Sequence, residues 1–77
     1  MEFEWHSRGK VTVTVDGRIA DIPGELLLMH DPDFVIYAEY FTTWRDGTLL
    51  TVEEKEHLLE EVVAEAESRG WKFEIQY

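Results

Sequence analysis

A chain of 77 residues with 17 Asp and Glu against 7 Lys and Arg is short and strongly acidic, with a formal net charge of −10. This length is one domain, 1–77, and the lack of cysteine excludes disulfide and thiolate–zinc staples. With 44% hydrophobic and 13% aromatic residues the acidity belongs to a folded surface rather than a disordered tail, and such a surface disfavours nucleic-acid phosphates and anionic lipids.

The opening residues Met1-Glu2-Phe3-Glu4-Trp5 lack the basic-then-apolar order of a signal peptide. No apolar run approaches the roughly 20 residues that span a bilayer. A soluble, cytoplasmic protein is the expectation. Phe3 and Trp5 suggest a first strand that extends up to Ser7. Val11, Val13 and Val15 then alternate with Thr12 and Thr14, which predicts a half-buried strand.

Asp16-Gly17 separates that strand from Arg18–Ile22 and predicts a two-residue hairpin turn, because both central positions of a type I′ turn need positive φ. The implied pairs are Val15 with Arg18, Val13 with Ala20 and Val11 with Ile22. Pro23-Gly24 predicts a type II turn, followed by a short buried strand at Leu26–Met29. His30-Asp31-Pro32-Asp33 breaks that run, and Phe34–Tyr40 predicts another strand. Trp44–Gly47 reads as a turn.

Thr51 with Glu54 has the spacing of a helix-opening capping box. Val52, Leu59, Val62, Val63 and Ala66 recur at helical spacing, flanked by Leu58. Gly70 predicts the helix end. Trp71, Phe73, Ile75 and Tyr77 alternate with polar residues, which predicts a final strand with its aromatic face toward the core. The whole predicts an α+β domain: a small antiparallel meander, one C-terminal helix on one face, and a last strand at an edge or inserted centrally.

The acidic residues fall into two sets. On the helix, Glu53, Glu56, Glu60 and Glu67 form an outer stripe, with Glu54, Glu61 and Glu65 nearby and only Lys55 and Arg69 to offset them. This stripe is either a solvated face or a surface that steers a basic partner. In the loops, Glu25, Asp31, Asp33 and Asp46, with Glu39 on the adjoining strand, lie near Tyr37, Tyr40, Phe41 and Trp44. Carboxylates among aromatic anchors suit a protein interface, although turn chemistry and core packing account for the same residues. Glu25, Asp31, Asp33, Glu39, Trp44 and Asp46 are the candidate partner-binding residues.

His57 and Glu61 lie one helical turn apart, but nothing nearby completes a metal set with them or with His30. The glycines form no phosphate loop, and no nucleophile–base pair stands out. No catalytic residue, metal or cofactor is expected.

The run Gly24-Glu25-Leu26-Leu27, Phe34-Val35-x-Tyr37, Trp44 and Thr51-x-x-Glu54-Lys55 resembles the immunity protein 74 family of bacterial polymorphic toxin and contact-dependent inhibition systems. The likeness covers the chain from about Val11 through the helix. One departure is Arg45-Asp46-Gly47, a shorter loop without the family's Pro. The resemblance implies a cytoplasmic inhibitor that binds the C-terminal domain of a cognate toxin. Such toxins are often nucleases with basic clefts, where carboxylates occupy sites built for phosphates. The competing expectation is a small acidic adaptor acting through a sheet edge or a homodimer. A monomer or weak homodimer is expected.

Overall fold

The computed structural model describes residues 1–5 and 7–77, so the part of the predicted first strand at His6 lies outside the described residues. Five strands form one sheet in the order β1 (Glu2–Glu4), β2 (Lys10–Val15), β3 (Arg18–Leu26), β4 (Phe34–Tyr37) and β5 (Phe73–Gln76). The helix α1 (Val52–Ser68) packs on one face, as the α+β reading expects.

The Asp16–Gly17 turn sets the register. Both residues take positive φ, 50° and 78°, and the three predicted pairs form. Val11, Val13, Ala20 and Ile22 therefore share one face and are fully buried. Phe3 of β1 joins them opposite Val13.

The predicted turn at Pro23-Gly24 does not exist; β3 runs straight through both residues. Gly24 donates its N–H to the Gly9 carbonyl at 2.9 Å, so the N–H positions of even-numbered residues face the β2 side. The missing N–H of Pro23 would point the other way, where the β4 ladder starts only at Gly24. Proline is tolerated where the sheet asks for no donor. Gly24 serves close approach instead of positive φ: a Cβ there would strike the Val35 carbonyl oxygen and the Phe34 ring.

Leu26–Met29 is not a buried strand either. Only Leu26 belongs to the sheet, opposite Phe34. The Leu27 N–H donates to the Asp33 carbonyl at 2.9 Å, and this contact closes the reversal. Leu28 and Met29 lie outside it, 59% and 102% exposed, with Met29 at φ 60°. A four-residue apolar run carries no periodicity that separates a strand from an exposed tip.

β4 stops at Tyr37, short of the predicted Tyr40. The chain turns into a 3-10 segment, Ala38–Tyr40. The Phe41 N–H donates to the Ala38 carbonyl at 3.1 Å, and both side chains are driven into the core.

The predicted capping box is present. Thr51 Oγ1 accepts the Glu54 N–H at 3.0 Å, and Glu54 Oε1 accepts the Thr51 N–H at 2.9 Å. Gly70, at φ 84°, follows the last turn. The buried stripe is Leu58, Leu59, Val62 and Ala66, whereas Val52 is exposed against expectation. The first turn is held by polar contacts instead, including Arg18 Nη1 on Glu54 Oε2 at 3.3 Å. Thr51→Ala is expected to lower unfolding free energy by about 1 kcal/mol, measured by urea titration with circular dichroism.

β5 takes the outer edge and runs parallel to β4, with Phe34 opposite Phe73 and Ile36 opposite Ile75. Asp33 opens this ladder twice. Its N–H donates to the Lys72 carbonyl at 2.9 Å, and its carboxylate accepts the Lys72 N–H at 2.8 Å. Phe73 is buried and stacks on Phe34 at 4.9 Å between ring centroids. Trp5 meets Phe34, Phe73 and Trp71 edge-on at 5.5, 5.0 and 4.8 Å. Tyr77, beyond the last β4–β5 pair, is exposed rather than packed.

Candidate functional site

With α1 covering one face, the other face of the sheet is open to solvent, and β3 puts Ile19, Asp21, Pro23 and Glu25 on it. Glu25 sits opposite Val35 and accepts a hydrogen bond from the Tyr37 hydroxyl at 3.4 Å. Partial burial first, and the Glu25 carboxylate second, push the Tyr37 phenol above its ordinary value. Sequence alternation alone predicts this juxtaposition once the register is known.

Asp31 and Asp33 lie at the end where β4 and β5 begin. Asp31 is exposed and takes the Lys72 ammonium at 3.2 Å. Asp33 is a structural residue as well as a charge, because its carboxylate caps the Lys72 N–H. Glu39 lies past the opposite end of β4, exposed on the 3-10 turn.

Trp44 is only 5% exposed and belongs to the core cluster. The Arg18 guanidinium covers its ring at 4.1 Å from the centroid. The indole Nε1 is buried with no hydrogen-bond partner, and the Glu54 carboxyl is held below its ordinary value foremost by the Thr51 N–H it accepts. Asp46 is exposed in the turn that the sequence predicts. Its carboxylate accepts the Thr48 N–H at 2.8 Å, which holds its pKa low.

The six predicted partner-binding residues therefore do not converge. Glu25 is on the open face, Asp31 and Asp33 are at one end of β4, and Glu39 is past the other, about 10 Å away or more at roughly 3.3 Å per residue. Trp44 and Asp46 belong to the turn that follows. On α1, Glu53, Glu56 and Glu60 are exposed together along a shallow surface that also includes Glu54 and His57. His57 Nε2 pairs with Glu61 at 2.8 Å. Among the described residues no three His, Asp or Glu side chains converge as a metal-binding set.

Two groupings were beyond sequence reasoning. The first lies on the open face. Arg45 clamps Asp21 with Nε on Oδ2 at 2.9 Å and Nη2 on Oδ1 at 2.7 Å, while Thr12 Oγ1 donates to Oδ1 at 2.9 Å. Lys10 Nζ stands 3.9 Å away. The hydrogen bond from Arg45, foremost, holds the Asp21 carboxyl at about 2 against 3.8 for a free side chain. A lowered native pKa contributes stability that is complete above the unfolded value and is lost as pH falls toward the native one. Wild type is thus expected to lose an advantage of about 1–2 kcal/mol over Asp21→Asn as pH falls from 5 toward 2, read as converging urea midpoints. No local pattern links Arg45 to Asp21; only the fold brings them together.

The second grouping is a cleft of about 270 Å³ at the C-terminal ends of β4 and β5, lined by Tyr37, Glu39, Tyr40, Gln76 and Tyr77. Tyr40 and Tyr77 are 68% and 82% exposed. Glu39, Tyr37 of β4 and Tyr40 of the 3-10 turn are visible in the sequence, but the contribution of β5 needed the parallel pairing.

No helix among the described residues is long and apolar enough to cross a membrane. A family model described as Immunity protein 74 matches residues 5–76, nearly the whole chain. No curated protein and no solved structure matches it.

Proposed function

The chain belongs to the immunity protein 74 family, an immunity protein family of toxin systems, and on that premise we propose that it neutralises a cognate toxin in the cytoplasm by stoichiometric binding. The target is a basic toxin domain, a nuclease whose cationic cleft attracts carboxylates. Binding is steered by the acidic field of the folded domain and needs no catalysis by this chain.

The distribution of charge carries this reading. Of the seven basic side chains, Lys10, Arg18, Arg45, Arg69 and Lys72 each stand within 3.9 Å of a carboxylate of the same molecule. The positive charge is largely spent on internal pairs, and a net charge of −10 faces outward. Glu25, Asp31, Glu39 and Asp46 are the outward-facing members of the predicted set. Asp33 caps the Lys72 backbone at the start of the β4–β5 ladder, and Trp44 packs in the core. Glu53, Glu56 and Glu60 supply a competing acidic surface on α1.

The reading is tested with the toxin domain encoded beside this chain's gene. Co-purification and relief of toxicity on co-expression are expected; neither occurring would sink it. Asp31→Lys is expected to weaken the complex by about tenfold, as for a charge reversed inside an interface. Glu65→Lys, on α1, is expected to change it by no more than about twofold. Equal losses would reduce the acidity to a general field.

An adaptor acting through strand addition is the second reading. The outer edge of β5 has no partner strand among the described residues, and open edges recruit strands. A stable homodimer by light scattering, together with no toxin complex, would favour it.

A further inference from the structure

The cleft at the ends of β4 and β5 has the chemistry of a cation receptor. Tyr37 and Gln76 are direct partners across the parallel ladder, so the sheet itself fixes its floor. Tyr40, from the 3-10 turn, and Tyr77, following β5, add two exposed rings. Glu39 adds a carboxylate, and none of the five lining residues is basic. Glu25, bound to the Tyr37 hydroxyl, places a second carboxylate beside it. The open-face cations Lys10 and Arg45 are already paired with Asp21 and do not neutralise it.

A volume of about 270 Å³ falls below the roughly 300–1,000 Å³ of drug-sized ligand pockets. It suits one long side chain. Tyrosine faces attract cations, and a planar guanidinium both stacks on a ring and forks onto a carboxylate, which an ammonium cannot do. Single exposed aromatics need no explanation, but three tyrosines and a carboxylate around one cleft form the kind of aromatic anchor that dominates interface energetics.

We propose that this cleft receives an arginine side chain of the toxin domain, stacked on Tyr40 and Tyr77 and paired with Glu39. The proposal rests on the toxin-binding reading and gives it a place on the molecule. Affinity for an inactivated form of the neighbouring toxin domain tests it, by calorimetry at two salt concentrations. Tyr40→Ala and Tyr77→Ala are each expected to weaken binding by about tenfold or more. Tyr77→Phe keeps the ring face and is expected to stay within about twofold of wild type. Glu39→Gln is expected to weaken binding and flatten its salt dependence. Melting temperatures are expected to hold, because the truncated rings are exposed. Wild-type binding with all four variants unchanged would overturn the cleft and leave the toxin reading standing. No binding by the wild-type chain would overturn both.

Discussion

Gly24→Ala is expected to cost about 3 kcal/mol or more, at the upper end of overpacking substitutions. Total stability of a small domain is only about 5–15 kcal/mol, so the change would remove a large share of it. The position needs room, not conformational freedom. Gly24 lies opposite Ile36 where β3 joins β4, and a methyl group there meets the Val35 carbonyl oxygen and the Phe34 ring together. The carbonyl is main chain and cannot rotate away, so the two strands must separate. Urea unfolding followed by circular dichroism measures the loss; a change below about 1 kcal/mol would mean that the strands reseat at little cost.

Phe34→Ala is expected to cost about 3–5 kcal/mol, the range for a buried aromatic removed from a core. Phe34 is fully buried and touches three structural units at once. Its backbone pairs with Leu26 of β3 and Phe73 of β5, and its ring stacks on Phe73 and takes the edge of Trp5. Phe34→Leu retains most of the buried volume and is expected to cost less. Trp5 gives a direct readout, because losing its ring partner changes the near-ultraviolet dichroism before global unfolding begins.

Features governed by neighbouring residues were legible in the sequence. The Asp16–Gly17 hairpin, its register, the Thr51–Glu54 box and the Gly70 terminus each depend on a few adjacent positions whose φ or hydrogen bonds have one good solution. Pro23-Gly24 carries the same kind of signal and misleads. Whether the proline lacks a needed donor, and whether the glycine serves a turn or a close approach, is decided by β4. Leu28 and Met29 mislead because burial belongs to the neighbours that a segment finds, and these two find none. The acidic candidates Glu25, Asp31, Glu39 and Asp46 are exposed. Their separation follows from strand order, which composition does not encode.

The parallel seat of β5 also bears on how the chain is made. Strands β1 to β4 pair in succession across short connections, whereas β5 reaches β4 only after the helix, and Asp33 waits for Lys72, 39 positions later. At about 5–20 residues per second, a ribosome leaves β4 with one bare edge for a period on the order of seconds. That edge carries Phe34 and Ile36, whose burial depends on a helix and a strand not yet synthesised. A nascent immunity protein is therefore most open to misassembly just before it can act, and quick docking of α1 and β5 shortens that interval.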